Sequence, residues 1–219
     1  MAEGSSPDYW QLVCDHRDRV LALIKETDWI EETNKDGIRI SYRETDKGRM
    51  VQVEAELDIP PATARRYVTP GPISNGLREK YVKKNPIKEI KVIQETDKYV
   101  IVYEVLNGLM GGIVAERDFV NVYGFEDDSD IGAYLICTSI EHPDYPPQWE
   151  PVRATMHVSG QMFLRVDGDP NKCAFHGVSV VDLGGMLPVA LIQPVQSKML
   201  FKGTAEMKQA IAKKFHEIN

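Results

Sequence analysis

Glu104 and Arg117 are the residues of this chain best suited to chemistry. They lie in the segment KYVIVYEVLNGLMGGIVAERDFVNVY, Lys98 to Tyr123, as one acid and one base in apolar runs on either side of a glycine-rich loop. A charge among apolar strand residues is costly to bury unless it is paired, so the two are expected to meet as a desolvated ion pair. Such a pair can hydrogen-bond the polar end of a ligand, directly or through water; on the surface it would be worth under about 1 kcal/mol. The loop between them is unusual too. Leu109, Met110, Ile113 and Val114 are apolar where loops usually face water, and Gly108, Gly111 and Gly112 free its backbone. A greasy cavity with one polar pair inside and a movable lid accounts for both features.

Other chemistries find less support. His142, His157 and His176 are scattered, with no metal-ligand spacing and no paired cysteines. No GxSxG elbow is present, and no serine or cysteine has a histidine set against it. The loop glycines do not form a phosphate-cradling GxGxxG. Neither a metal nor a cofactor is expected. The net charge of −7 argues against nucleic acid, and no apolar run approaches the roughly 18–20 residues that cross a bilayer. Cys14, Cys137 and Cys173 are odd in number and far apart, as reduced thiols of a cytoplasmic protein would be. The opening residues MAEGSSPDYW lack the regions of a secretion signal.

The elements that must position these residues follow from periodicity and turn chemistry. The pattern predicts a helix from Pro7 to Lys25, then strands Trp29–Thr33, Ile38–Glu44 and Met50–Asp58. In the third of these, Val51, Val53, Ala55 and Leu57 alternate with polar residues, as in a sheet with one wet face. A short helix begins at Pro60-Pro61 and another lies near Ser74–Lys84. Six further strands are expected: Ile87–Glu95, Tyr99–Leu106, Phe119–Glu126, Ala133–Glu141, Val152–Val166 and Cys173–Leu183. A long helix from Leu187 to Glu217 closes the chain, kinked at Pro194. The expected fold is α+β: one domain, 1–219, with nine antiparallel strands curled around the last helix and a cavity between them.

Three segments carry a resemblance to a known family. They are NPIKEIKVIQ (Asn85–Gln94), ERDFVNV (Glu116–Val122) and VVDLGGMLPVALI (Val180–Ile192), and Val152-Arg153 stands where the family opens a strand with the same pair. On these the chain resembles the START family, the lipid-transfer domains related to steroidogenic acute regulatory protein, over nearly its whole length. The resemblance implies the helix-grip fold, a hydrophobic tunnel and a mobile loop at Gly108–Ala115. NPIKEIKVIQ is most similar to the branch whose members bind cholesterol with an Arg–Glu pair in the tunnel, and Tyr103-Glu104 and Arg117 fall at the matching positions. Lys84 stands where that branch commonly has a tryptophan, and His176-Gly177 where bulkier apolar residues are usual.

The implied function is non-catalytic carriage of one lipid between membranes. A sterol is the first expectation, a carotenoid or a phospholipid the alternatives, and a helix-grip enzyme using Glu104 the rival from another class. The expected ligand-lining set is Tyr103, Glu104, Met110, Ile113, Val114, Arg117, Met156, His176, Leu187, Leu191, Val195 and Met199. The last four recur every fourth residue from Leu187 as an apolar stripe. The expected protein is a cytoplasmic monomer that touches membranes transiently, with the lysines of the last helix as a candidate contact.

Overall fold

In chain order the elements are α1 (Tyr9–Leu23), β1 (Ile30–Lys35), β2 (Ile38–Thr45), β3 (Gly48–Leu57), α2 (Pro61–Val68), β4 (Ile87–Glu95), β5 (Tyr99–Leu106), β6 (Arg117–Asp128), β7 (Gly132–Ser139), β8 (Val152–Arg153), β9 (Thr155–Val166), β10 (Asp169–Asp182) and α3 (Val189–Ile218). The computed structural model describes residues 7–68, 87–108, 114–128, 130–185 and 189–218, the side chains of 189–195 and 214–218 excepted. The helix expected near Ser74–Lys84 lies outside these residues.

Nine strands join in the order β1-β2-β3-β10-β9-β7-β6-β5-β4, each antiparallel to its neighbour, and β8 pairs in parallel with the start of β6. The curved sheet and terminal helix are the expected α+β helix-grip arrangement. One expected strand, Val152–Val166, is in fact two. Ala154 N–H bonds Asp118 O at 2.9 Å, so Val152 and Arg153 stay on β6 while the chain from Thr155 crosses to β7 and β10.

Residues opposite one another in an antiparallel pair share a face, and successive residues alternate. Following the register from Val51 through Ser179, Ser159 and Cys137 to Tyr123 traces one face across the sheet. Phe163 and Phe175 lie on it, packed with Ile38, Ile40, Val53, Ala64 of α2 and Ile211 of α3. This is the α3 face. The opposite face carries Tyr134, Ile136, Val158, Met162 and Val180 against Val13, Val20 and Leu23 of α1. Burying each of these aliphatic side chains contributes on the order of 1.5–3 kcal/mol.

The helix ends follow local chemistry. Asp8 Oδ1 accepts from Gln11 N at 3.0 Å and starts α1. The last helix continues through Pro194 and Gly203, and Ser197 Oγ donates to Glu32 of β1. The wet face expected of β3 is dry at Gln52, which is buried because β3 sits between β2 and β10 and its neighbour Met50 joins the α1 cluster. Among the described residues no helix is long and apolar enough to cross a membrane.

Candidate functional site

Register builds the site. On β5 and β6, Glu104 lies opposite Phe119, Val102 opposite Asn121 and Val100 opposite Tyr123. On β7, Ser139 lies opposite Asn121 and Cys137 opposite Tyr123. By alternation Glu104, Asn121, Tyr123, Cys137 and Ser139 all project toward α3.

These side chains form one hydrogen-bonded network. Asn121 Nδ2 and the Tyr123 hydroxyl both donate to Glu104 Oε1, each at 2.6 Å. Ser139 Oγ donates to Asn121 Oδ1 at 2.7 Å and accepts from Met156 N at 2.7 Å. Among the described residues none donates to Glu104 Oε2. Glu104 is 8% exposed. Burial pushes its carboxyl up from the usual range, while the bonds from Tyr123 and Asn121 pull it down. Burial also pushes the Tyr123 hydroxyl and the Cys137 thiol well up, so the thiol is an inert one. The cluster can bond a single hydroxyl or carbonyl in an apolar setting.

Arg117 is buried as expected, at 5% exposed, but it does not pair with Glu104. Its Nε donates to Leu183 O at 2.6 Å, Nη1 to Ala115 O at 2.7 Å and Nη2 to Gly184 O at 3.3 Å. Three carbonyls take the guanidinium, which lies at the end of its strand and turns toward the two loops there. The expected ion pair is therefore corrected. Among the described residues the most buried carboxylate in an ion pair is Asp118, 1% exposed, gripped on the other face by Arg153 at 3.0 and 2.8 Å.

The remaining expected residues divide. Val114 is buried beside the sheet, with its carbonyl 2.7 Å from where a side chain on Gly108 would begin, so the ends of the loop are pinched together. Met156 reaches the α3 face, its Sδ 4.0 Å from Ser179 Oγ. Tyr103 does not: it lies opposite Val120 and stacks on Tyr145, ring centroids 4.9 Å apart, on the α1 side. His176 is likewise on that side, opposite Glu54 and Met162, its Nδ1 3.5 Å from the Glu54 carboxylate. Met199 is 53% exposed. A stripe with a strict four-residue step drifts about 40° per step around a helix, so by Met199 it has left the side defined by Ser197, Thr204 and Ile211, which are buried. Met110, Ile113 and Leu187 lie outside the described residues, as do the side chains of Leu191 and Val195. Asn121, Tyr123 and Ser139 were missed, although Arg117, Phe119, Asn121 and Tyr123 recur with the period of two that puts them on one strand face.

Residues 20–216 match the START domain family. The chain belongs to it. StAR-related lipid transfer protein 5 of Mus musculus is 25% identical to this START domain over 191 residues, 86% of this chain and 87% of that protein. The mitochondrial steroidogenic acute regulatory protein of Salvelinus fontinalis is 30% identical over 130 residues, 58% of this chain and 45% of that protein's length. Among solved structures, human StAR-related lipid transfer protein 5 matches with a TM-score of 0.77 at 23% identity, covering 94% of this chain and 97% of its own. That likeness is one of fold. The Glu104 cluster thus lies on the gripping face of a START sheet.

Proposed function

We propose that this START domain, acting as one unit over 1–219, holds a single hydrophobic lipid between the α3 face and α3 and carries it between membranes without catalysis. The observation that carries this reading is Glu104, a buried carboxyl on the α3 face that Arg117 does not neutralise. An acid in an apolar setting costs stability. It is worth keeping where one polar group must be recognised among apolar contacts. The apolar body of the ligand would supply the affinity, at about 0.8 kcal/mol per CH₂ buried.

A sterol fits best, because its one hydroxyl matches one polar cluster. Two of the relatives are named for lipid transfer and for steroidogenic regulation, which favours the same class. A phospholipid would want a cation for its phosphate, and the Arg117 guanidinium is spent on carbonyls. Exchange would need the Gly108–Ala115 segment and the start of α3 to part, since a sealed cavity cannot release its cargo.

Native mass spectrometry after incubation with vesicles containing cholesterol, lutein or phosphatidylcholine tests this. A one-to-one cholesterol adduct, weakened by Glu104→Leu, is expected. Adducts with lutein or phosphatidylcholine alone would overturn the sterol assignment, and no adduct at all would overturn lipid carriage. A chemically altered lipid formed by the natural chain and not by Glu104→Gln would establish an enzyme instead.

A further inference from the structure

Trp149 is 94% exposed, in the segment Ile140–Pro151 that joins β7 to β8. A surface tryptophan commonly lies along its own loop; this one stands clear of a loop that is itself held in place. Tyr145 stacks on Tyr103, meets His142 edge-on at 5.5 Å and has Lys91 Nζ 5.1 Å above its ring. Arg153 Nη2 donates to Tyr145 O at 3.0 Å while its guanidinium grips Asp118. Pro146, Pro147 and Pro151 restrict the backbone around the tryptophan.

The position of this loop gives the ring a use. Val152 pairs with Arg117, and its Cγ1 lies 3.4 Å from where a side chain on Gly184 would begin. Trp149, three residues earlier, is within about 10 Å of Val152 by chain length alone. It therefore stands at the end of the sheet where the Gly184-Gly185 turn leads toward α3 and where the Gly108–Ala115 segment rejoins β6.

The chemistry around the ring selects the occupant. Glu141, Asp144 and Glu150 surround it in sequence, with no lysine or arginine between Glu141 and Val152, on a chain of net charge −7. The excess of acid over base in this stretch disfavours anionic lipid, with Lys91 at the Tyr145 ring and Arg153 held by Asp118 as the cations against the loop. A tryptophan in an acidic stretch suits a quaternary ammonium, and tryptophan favours the headgroup depth of a bilayer. We propose that Trp149 is the membrane anchor of this domain, docking the end of the sheet beside the lead-in to α3 onto a phosphatidylcholine surface. This rests on the lipid-carriage reading and adds to it the surface and the headgroup.

Vesicles of brominated phosphatidylcholine test the proposal through fluorescence. The difference spectrum between the natural chain and Trp149→Phe isolates this ring from Trp10 and Trp29. It should shift to the blue and be quenched on vesicle addition. Co-sedimentation with phosphatidylcholine vesicles should fall roughly tenfold in Trp149→Ala, and be weaker with phosphatidylserine for the natural chain. An unshifted, unquenched Trp149, undiminished sedimentation of Trp149→Ala, or preference for phosphatidylserine would each overturn it. Vesicle binding with no lipid taken up would sink the carriage reading and leave the anchor standing; uptake with no change at Trp149 would do the reverse.

Discussion

Arg117 and Asp118 are consecutive on β6 and serve opposite faces of the sheet. The Arg117 guanidinium ends on the carbonyls of Ala115, Leu183 and Gly184, while the Asp118 carboxylate holds Arg153 in a two-point grip. Between them they tie β6 to three segments at one end of the molecule: the close of the Gly108–Ala115 segment, the turn before α3, and β8. Val152 N to Glu116 O at 3.0 Å and Ala154 N to Asp118 O at 2.9 Å complete the junction.

Breaking the buried pair from the basic side should be severe. Arg153→Ala leaves a carboxylate that is 1% exposed without its cation, and the expected loss is about 3–5 kcal/mol. Urea unfolding measures it. Arg39→Ala, whose pair with Glu54 is half open to solvent, should cost under about 1 kcal/mol. Equal losses in the two variants would show that burial does not set the cost.

Glu104 should make stability depend on pH in an unusual direction. Its native pKa is raised, so the folded state holds the proton more tightly than the unfolded chain does. The contribution is complete below the ordinary carboxylate pKa. It is lost as pH rises from there through the raised native value, and each tenfold tightening of the hold on the proton corresponds to about 1.4 kcal/mol. Glu104→Gln keeps an acceptor for Asn121 and Tyr123 and removes the charge. The stability of the variant relative to the natural chain should therefore improve as pH rises above the ordinary carboxylate range. A pH-independent difference would mean that Glu104 titrates normally in the fold.

Strand positions were readable where apolar alternation met clear turn residues, which is why β4 and β5 fall where the pattern places them. The partners of charged residues were not readable. Spacing puts an acid near Arg117 without saying which side of the strand each side chain takes. The period of two would have supplied that: Tyr103 follows Val102 and precedes Glu104, so Tyr103 and Glu104 cannot both face one ligand. The same rule separates His176 from Phe175. On α3, an apolar repeat of four looked like a single face, but 3.6 residues per turn carried Met199 around to solvent. Asn121 and Tyr123 went unseen because a polar residue in a strand reads as its wet side, and this strand has none there.

Two glycines of the sheet serve as seats for α1. A side chain on Gly124 would begin 2.6 Å from Val13 Cγ2, and one on Gly160 would begin 2.7 Å from Val20 Cγ2. Both valines are fully buried. Gly124→Ala should cost about 1–3 kcal/mol by overpacking. Adding Val13→Ala makes room for the new methyl, so the double variant should be more stable than the sum of the single losses predicts, by roughly 0.5–3 kcal/mol. Thermal or urea unfolding of the four-member cycle decides it. Strict additivity would show that α1 shifts on the sheet and does not sit tightly on Gly124.

An anchoring role for Arg117 can be told apart from a ligand-pairing one. Two of its bonds go to the α3 lead-in, at Leu183 and Gly184, and one to Ala115 before β6, and Gly184 must be glycine there, with φ of +62° and a would-be side chain 2.5 Å from Arg153 O. Removing the guanidinium frees carbonyls on both segments at once. Arg117→Ala should therefore raise hydrogen exchange at Leu183–Gly185, in the first turn of α3 and at Ala115, while the Phe163–Phe175 core keeps its protection. Arg117→Lys should not restore protection, because one ammonium cannot reproduce the planar fork that spans three carbonyls. Exchange followed by mass spectrometry without added lipid is the right readout, since a residue acting only on bound ligand would leave that pattern unchanged. If the start of α3 stays as protected in Arg117→Ala as in the natural chain, something other than Arg117 holds it.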